Sequence, residues 1–223
     1  MARETFNRKT LRQDPFRDTL LNLLDRISGY RKTVIAVVTV LVVGTGAAFG
    51  LYGYSQLVVK RQAELFYQAE KALANPSLEN EKRLTAAREA FGEFLRAYPD
   101  SPLSPFALMI SAKIAWEQSD FQEAERKFKA AMDHPAAPPT LKNLAKIGQA
   151  KLMENRGQFD QSAKIYLSLP ESQLADVRDF NLGRIAVAGG RIEEARKHLE
   201  SVVNRFPRSR VSDWANAVLS FLP

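Results

Sequence analysis

Few residues of this 223-residue chain are of the kinds that carry out covalent chemistry. It has no cysteine, which removes disulfides, thiolate metal sites and Cys nucleophiles together. Its two histidines stand apart. His134 precedes Pro135 in a break between helices, and His198 lies among Arg196, Lys197 and Glu200, neither with a second His or a carboxylate pair at ligand spacing. Both are read as surface residues, so no metal or other cofactor is expected. No G-x-S-x-G, H-E-x-x-H, Walker or G-x-G-x-x-G motif occurs, and Glu193-Glu194 fall at an expected helix N-terminus, where they complement the dipole. The reading is a non-catalytic protein without a small-molecule substrate. The residues that do recur in a pattern suit binding. Lys113, Lys151 and Arg184 each stand beside apolar side chains: Phe106, Met109 and Trp116 near the first, Leu144 and Ile147 near the second, Val177 and Phe180 near the third. Glu154 and Val187 close the last two groups. Three cations along an apolar floor would suit peptide segments with apolar anchors and an acidic group. The plain alternative is core packing with a solvated helix face.

Whether those residues share a surface depends on the elements that carry them. From residue 60 onward, helical periodicity alternates with short breaks and no stretch alternates with period two, so an all-α domain is expected. Within it a unit repeats: LTAAREAFGEFLRAYP (Leu84–Pro99), FQEAERKFKAAMDHP (Phe121–Pro135), FDQSAKIYLSLP (Phe159–Pro170) and IEEARKHLESVVNRFP (Ile192–Pro207). Each places a small residue early (Ala87, Ala124, Ser162, Ala195) and a large one four later (Phe91, Phe128, Tyr166, Leu199). The small residue allows close helix approach and the large one fills the space behind it. The turns SDF, RGQF and GGRI precede the last three units. The design resembles the tetratricopeptide repeat (TPR), with units of about 34 residues. The small residues are 37, 38 and 33 apart, and Lys146 and Asp179 stand where that repeat has a large apolar residue. Three to four helix pairs are expected, the first degenerate, with Val211–Leu222 as a C-terminal capping helix. Aligning the units puts Lys113, Lys151 and Arg184 at one repeat position on the concave face.

Ahead of the repeats lies Thr33–Val59, 27 residues without a charge, bracketed by Arg31-Lys32 and Lys60-Arg61. As a helix it would be ~40 Å long, more than the ~30 Å of a bilayer's hydrocarbon core. One transmembrane helix of about 20 residues is expected, from Thr33 to Tyr52–Tyr54, with the tyrosines at an interface. Residues 1–32 hold eight Lys/Arg against four Asp/Glu, +4 of the chain's +7. The basic excess is thus a topology signal and not a nucleic-acid footprint. It predicts a cytoplasmic N-terminus, a signal anchor over 33–59 and a translocated, periplasmic domain over 60–223. Within 1–32, Phe16, Leu20, Leu23, Leu24 and Ile27 recur at helical spacing, as in an amphipathic juxtamembrane helix. Gly46 and Gly50, at G-x-x-x-G spacing, could pack against another membrane helix.

The anchor, the opening AREAFGEFLRAYPDSPLSPFALMISAKIAWEQSDFQEAERKF and the later ADVRDFNLGRIAVAGGRIEEARKHLE together resemble the YfgM-like family. The resemblance covers about residues 33–205, and the chain differs in its longer N-terminal tail and its own terminal helix. It implies a bacterial inner-membrane protein with a periplasmic TPR domain, ancillary to the SecYEG translocon. Its implied partners are translocon subunits, a periplasmic chaperone and exported polypeptides. The YPDSP and RFPRSR segments also look like TPR domains of the Tol-Pal coordinator and of outer-membrane assembly proteins, which leaves a scaffold for another envelope machine as the alternative.

Overall fold

A computed structural model describes residues 19 and 30–223. The juxtamembrane helix expected over 15–27 lies outside them, apart from Thr19. The described residues form helices and turns without a strand. In order the helices are α1 (Arg31–Leu73), α2 (Asn80–Ala97), α3 (Ser104–Glu117), α4 (Phe121–Asp133), α5 (Pro139–Asn155), α6 (Phe159–Leu167), α7 (Glu171–Ala188), α8 (Ile192–Arg205) and α9 (Arg210–Phe221). The chain divides into two compact units, Met1–Val59 and Lys60–Pro223.

In the first unit, α1 is long and apolar enough to cross a membrane, with a mean hydropathy of 2.4 over an 18-residue stretch. Side chains from Lys32 to Leu57 are exposed throughout. The few polar ones serve the helix itself: the hydroxyls of Thr39 and Thr45 donate to the carbonyls of Ile35 and Leu41, each at 2.8 Å. Such bonds would satisfy the hydroxyls within a bilayer. The helix continues beyond the span expected to end near Tyr52–Tyr54, and α1 has 43 residues in all. Its glycines lower helix propensity by about 1 kcal/mol each but remove no hydrogen bond. The first true breaker is Asn75-Pro76, because Pro76 lacks a donor and constrains the residue before it.

The second unit has no single core. Four apolar clusters follow one another along the chain, and each is shared by consecutive helices, as in a solenoid. The first joins Ala69 of α1 to Ala87, Phe91 and Phe94 of α2 and to Ala107 and Ile114 of α3. The second joins α3, α4 and α5 around Phe128. The third gathers Ala150, Tyr166, Leu169, Leu182 and Ile185. The last sets Leu199 and Val202 of α8 against Val211 and Ala215 of α9. Every small residue of the repeat is fully buried, and its large partner is exposed by 4 % at most. The α1 residues from 60 onward thus serve as the first helix of a first pair, and α9 caps the last.

Between paired helices the chain turns through a left-handed residue two positions before the second helix: Ser119 (φ 60°), Gly157 (φ 72°) and Gly190 (φ 71°). Glycine takes this conformation freely, whereas serine pays a steric cost of about 1–2 kcal/mol. Ser119→Gly should therefore raise stability by about 0.5 kcal/mol once glycine's looser unfolded state is counted, read as a higher urea midpoint. Asp120 then caps α4, accepting from the Glu123 backbone N–H at 3.2 Å, while Arg88 of α2 donates to its other oxygen at 2.9 Å. Arg88 and this N–H hold the Asp120 carboxyl below its usual pKa. Its share of stability is complete above the unfolded value of about 4 and is lost as pH falls below it.

The two departures from the TPR pattern are accommodated locally. Asp179 is buried, but its carboxylate accepts from Ser201 Oγ and Arg178 Nε, both at 3.0 Å. Lys146 is half-buried. A kink at Leu174 (φ −134°, ψ 20°) separates a short leading turn from the main body of α7.

Candidate protein-binding groove

The first helices of successive pairs, α3, α5 and α7, line two open concavities of about 360 and 500 Å³. Both are bordered by Trp116 and Lys151, so they lie side by side. Met109, Lys113, Leu144 and Ile147 line the smaller, and Phe180 and Arg184 the larger. Nine of the twelve residues singled out from the sequence, Glu154 among them, are thereby brought together. Phe106, though 41 % exposed, and the half-buried Val177 and Val187 border neither concavity. Trp116 is held by Phe121, ring centroids 5.5 Å apart in an edge-on arrangement, and so presents a fixed face.

Sequence reasoning passed over several contributors, among them Gly148, Phe159 and Trp214. Gly148 borders the smaller concavity, and a Cβ there would stand 2.5 Å from the Phe128 ring, so only glycine lets α5 seat on that ring. Phe159 lines the larger concavity. Trp214 of α9 is 59 % exposed and packs on Phe180, centroids 6.0 Å apart. It follows Phe180 by 34 residues, one repeat length, and extends the aromatic surface onto the cap.

The electrostatics correct the expectation of three equivalent cations. Arg184 Nη2 donates to Glu154 Oε2 at 2.6 Å and to Asn181 Oδ1 at 3.1 Å. The other Glu154 oxygen accepts from Tyr166 Oη at 2.9 Å and Ser162 Oγ at 3.3 Å. The Glu154 side chain is only 12 % exposed, and its charge is answered within the fold. Burial first, then the Glu154 charge, pushes the Tyr166 phenol above its usual pKa. Its contribution is complete below about pH 10 and is lost at higher pH, where the unfolded phenol ionises. Lys113 and Lys151, in contrast, are exposed and make no hydrogen bond or ion pair among the described residues. Nor do the described residues bring together three His, Cys, Asp or Glu side chains that could hold a metal.

Helix pairs in register, small residues under large ones and a capping helix define a TPR-type solenoid, preceded in the same chain by an apolar helix of membrane-spanning length. The chain belongs to the tetratricopeptide repeat-like domain family, whose model matches residues 29–219 and so takes in the apolar helix as well as the repeats. It is also similar to a protein of Aggregatibacter actinomycetemcomitans described as an ancillary SecYEG translocon subunit. The two are 26 % identical over 161 residues, 72 % of this chain and 76 % of the relative. The likeness to that kind of protein, first seen in the anchor and the AREAFGEF and GGRIEEARKHLE segments, is thus found again by direct comparison.

Proposed function

We propose that this protein is a non-catalytic, single-pass subunit ancillary to the Sec translocon. The apolar part of α1 anchors it in the bacterial cytoplasmic membrane, with the N-terminus in the cytoplasm and the repeats in the periplasm. There the concave groove holds segments of exported proteins and passes them to a periplasmic chaperone. The observation that carries this reading is the groove: an apolar floor with two uncommitted lysines, on the helices that face the hollow of the solenoid. The similarity to an ancillary translocon subunit supports the choice of machine. Gly46 and Gly50, with open space where a Cβ would stand on either, are the proposed packing face toward a translocon helix.

Purification of the tagged full chain in mild detergent tests the assignment. Translocon subunits and a chaperone should co-elute, and Leu144→Lys should reduce the chaperone and client signal at least tenfold without moving the melting temperature. Leu144 is 53 % exposed, so the fold has little stake in it. Co-elution of division or outer-membrane assembly proteins in their place would overturn the reading. So would a repeat domain shielded from protease added to spheroplasts.

A further inference from the structure

Charge in the groove is distributed unevenly along its length. Lys113 and Lys151 border the smaller concavity, together with the apolar floor of Met109, Trp116, Leu144 and Ile147. Glu117 borders it too, one turn beyond Lys113 on α3, yet neither lysine lies within ion-pair distance of it. That leaves an excess of one positive charge with no internal partner. At the same repeat position in the larger concavity, Arg184 is bound to Glu154, and the neighbouring surface is the aromatic pair Phe180 and Trp214. The smaller concavity therefore asks for an anion beside an apolar group, whereas in the larger one the Arg184 charge is already answered and Phe180 offers apolar contact beside Lys151, Asn155 and Asn181.

Resting on the groove reading above, we infer that the groove selects internal segments of a polypeptide that carry an Asp or Glu side chain next to apolar anchors. The carboxylate lies between Lys113 and Lys151, an apolar neighbour rests on Trp116 and Leu144, and a further anchor reaches Phe180. An internal carboxylate fits better than a chain end because the two concavities adjoin at Trp116 and Lys151, so that apolar contacts lie on both sides of the lysine pair. The occupant passes over the lysine pair and does not stop there. Two flexible ammonium groups from adjacent repeats can follow a side-chain carboxylate without demanding one backbone register, which suits many sequences and not one.

The test uses the full chain in nanodiscs and a fluorescent, acetylated and amidated peptide with Leu and Phe anchors flanking one central Asp. Anisotropy should show the Asp peptide binding ~5-fold tighter than its Asn counterpart, with the preference shrinking as salt rises. In Lys113→Gln/Lys151→Gln the preference for Asp over Asn should vanish, and Glu117→Gln should widen it. Equal binding of the Asp and Asn peptides by the unaltered chain, or a preference that survives the double substitution, overturns this inference and leaves the groove standing. A peptide with a free C-terminal carboxylate that outcompetes the internal Asp overturns the assignment to internal segments. Failure of every peptide to bind overturns the groove reading and this one with it.

Discussion

Arg184→Glu lowers the unfolding free energy of the repeat domain by roughly 3 kcal/mol, whereas Lys113→Glu and Lys151→Glu each change it by no more than about 0.5 kcal/mol. The three cations occupy one repeat position, but their surroundings differ. Reversal at Arg184 removes a 2.6 Å charge-assisted bond and sets a second carboxylate beside Glu154. Glu154 cannot turn away to water, because Tyr166 and Ser162 also hold it and its side chain is only 12 % exposed. A fully buried pair broken on one side costs about 3–5 kcal/mol. The 40 % exposure of Arg184 places this case at the lower end. Urea unfolding of the full chain in detergent, followed by circular dichroism, reads the difference. The exchange Glu154→Arg/Arg184→Glu should recover only part of the loss, since an arginine at 154 offers Tyr166 no acceptor. If Arg184→Glu is as stable as the lysine variants, the pair does not lock α5 to α7.

The same position shows what the sequence discloses and what it withholds. The repeat was legible because it rests on residue volume at fixed helical spacing. Ala124 beneath Phe128, or Ala195 beneath Leu199, means the same thing wherever the pattern occurs, and both pairs are buried. Likewise Trp214 carried a usable signal, its 34-residue distance from Phe180, though Val211–Leu222 was read only as a cap. Which cation would be neutralised was not legible. Arg184 meets Glu154 across 30 residues, and the choice depends on side-chain rotamers and on the donors Tyr166 and Ser162 brought by α6. The glycine seat at 148 was hidden for a related reason: a mid-helix glycine looks like a defect until the Phe128 ring of another helix is found against it. That the membrane-spanning stretch and the first repeat helix are one continuous helix is not evident from composition. Composition changes at Lys60, but no residue there interrupts the hydrogen bonding, so the helix runs on to Leu73.

That apolar stretch bears the second large effect. Val42→Arg/Val43→Arg removes the chain from the membrane. Residues 33–52 contain ten Val, Ile, Leu or Phe, each favouring insertion by about 0.3–0.6 kcal/mol at mid-bilayer, so together roughly 3–6 kcal/mol. One arginine near the centre costs about 2.5–3.5 kcal/mol and leaves insertion marginal; two cost about 5–7 kcal/mol and cancel the whole gain. Snorkelling offers little relief, because positions 42 and 43 lie at the middle of residues 33–52, about 14 Å from either end at ~1.5 Å per residue. Flotation of membranes through a sucrose gradient separates inserted chain from aggregate. The unaltered chain should float and resist alkaline extraction, the single variants should divide between fractions, and the double variant should remain at the bottom. A double variant that still floats and resists extraction would mean that α1 does not span the bilayer. The repeats give an internal control. Val42 and Val43 are each 64 % exposed and belong to none of the four apolar clusters, so the solenoid should keep its helical signal even when the anchor fails.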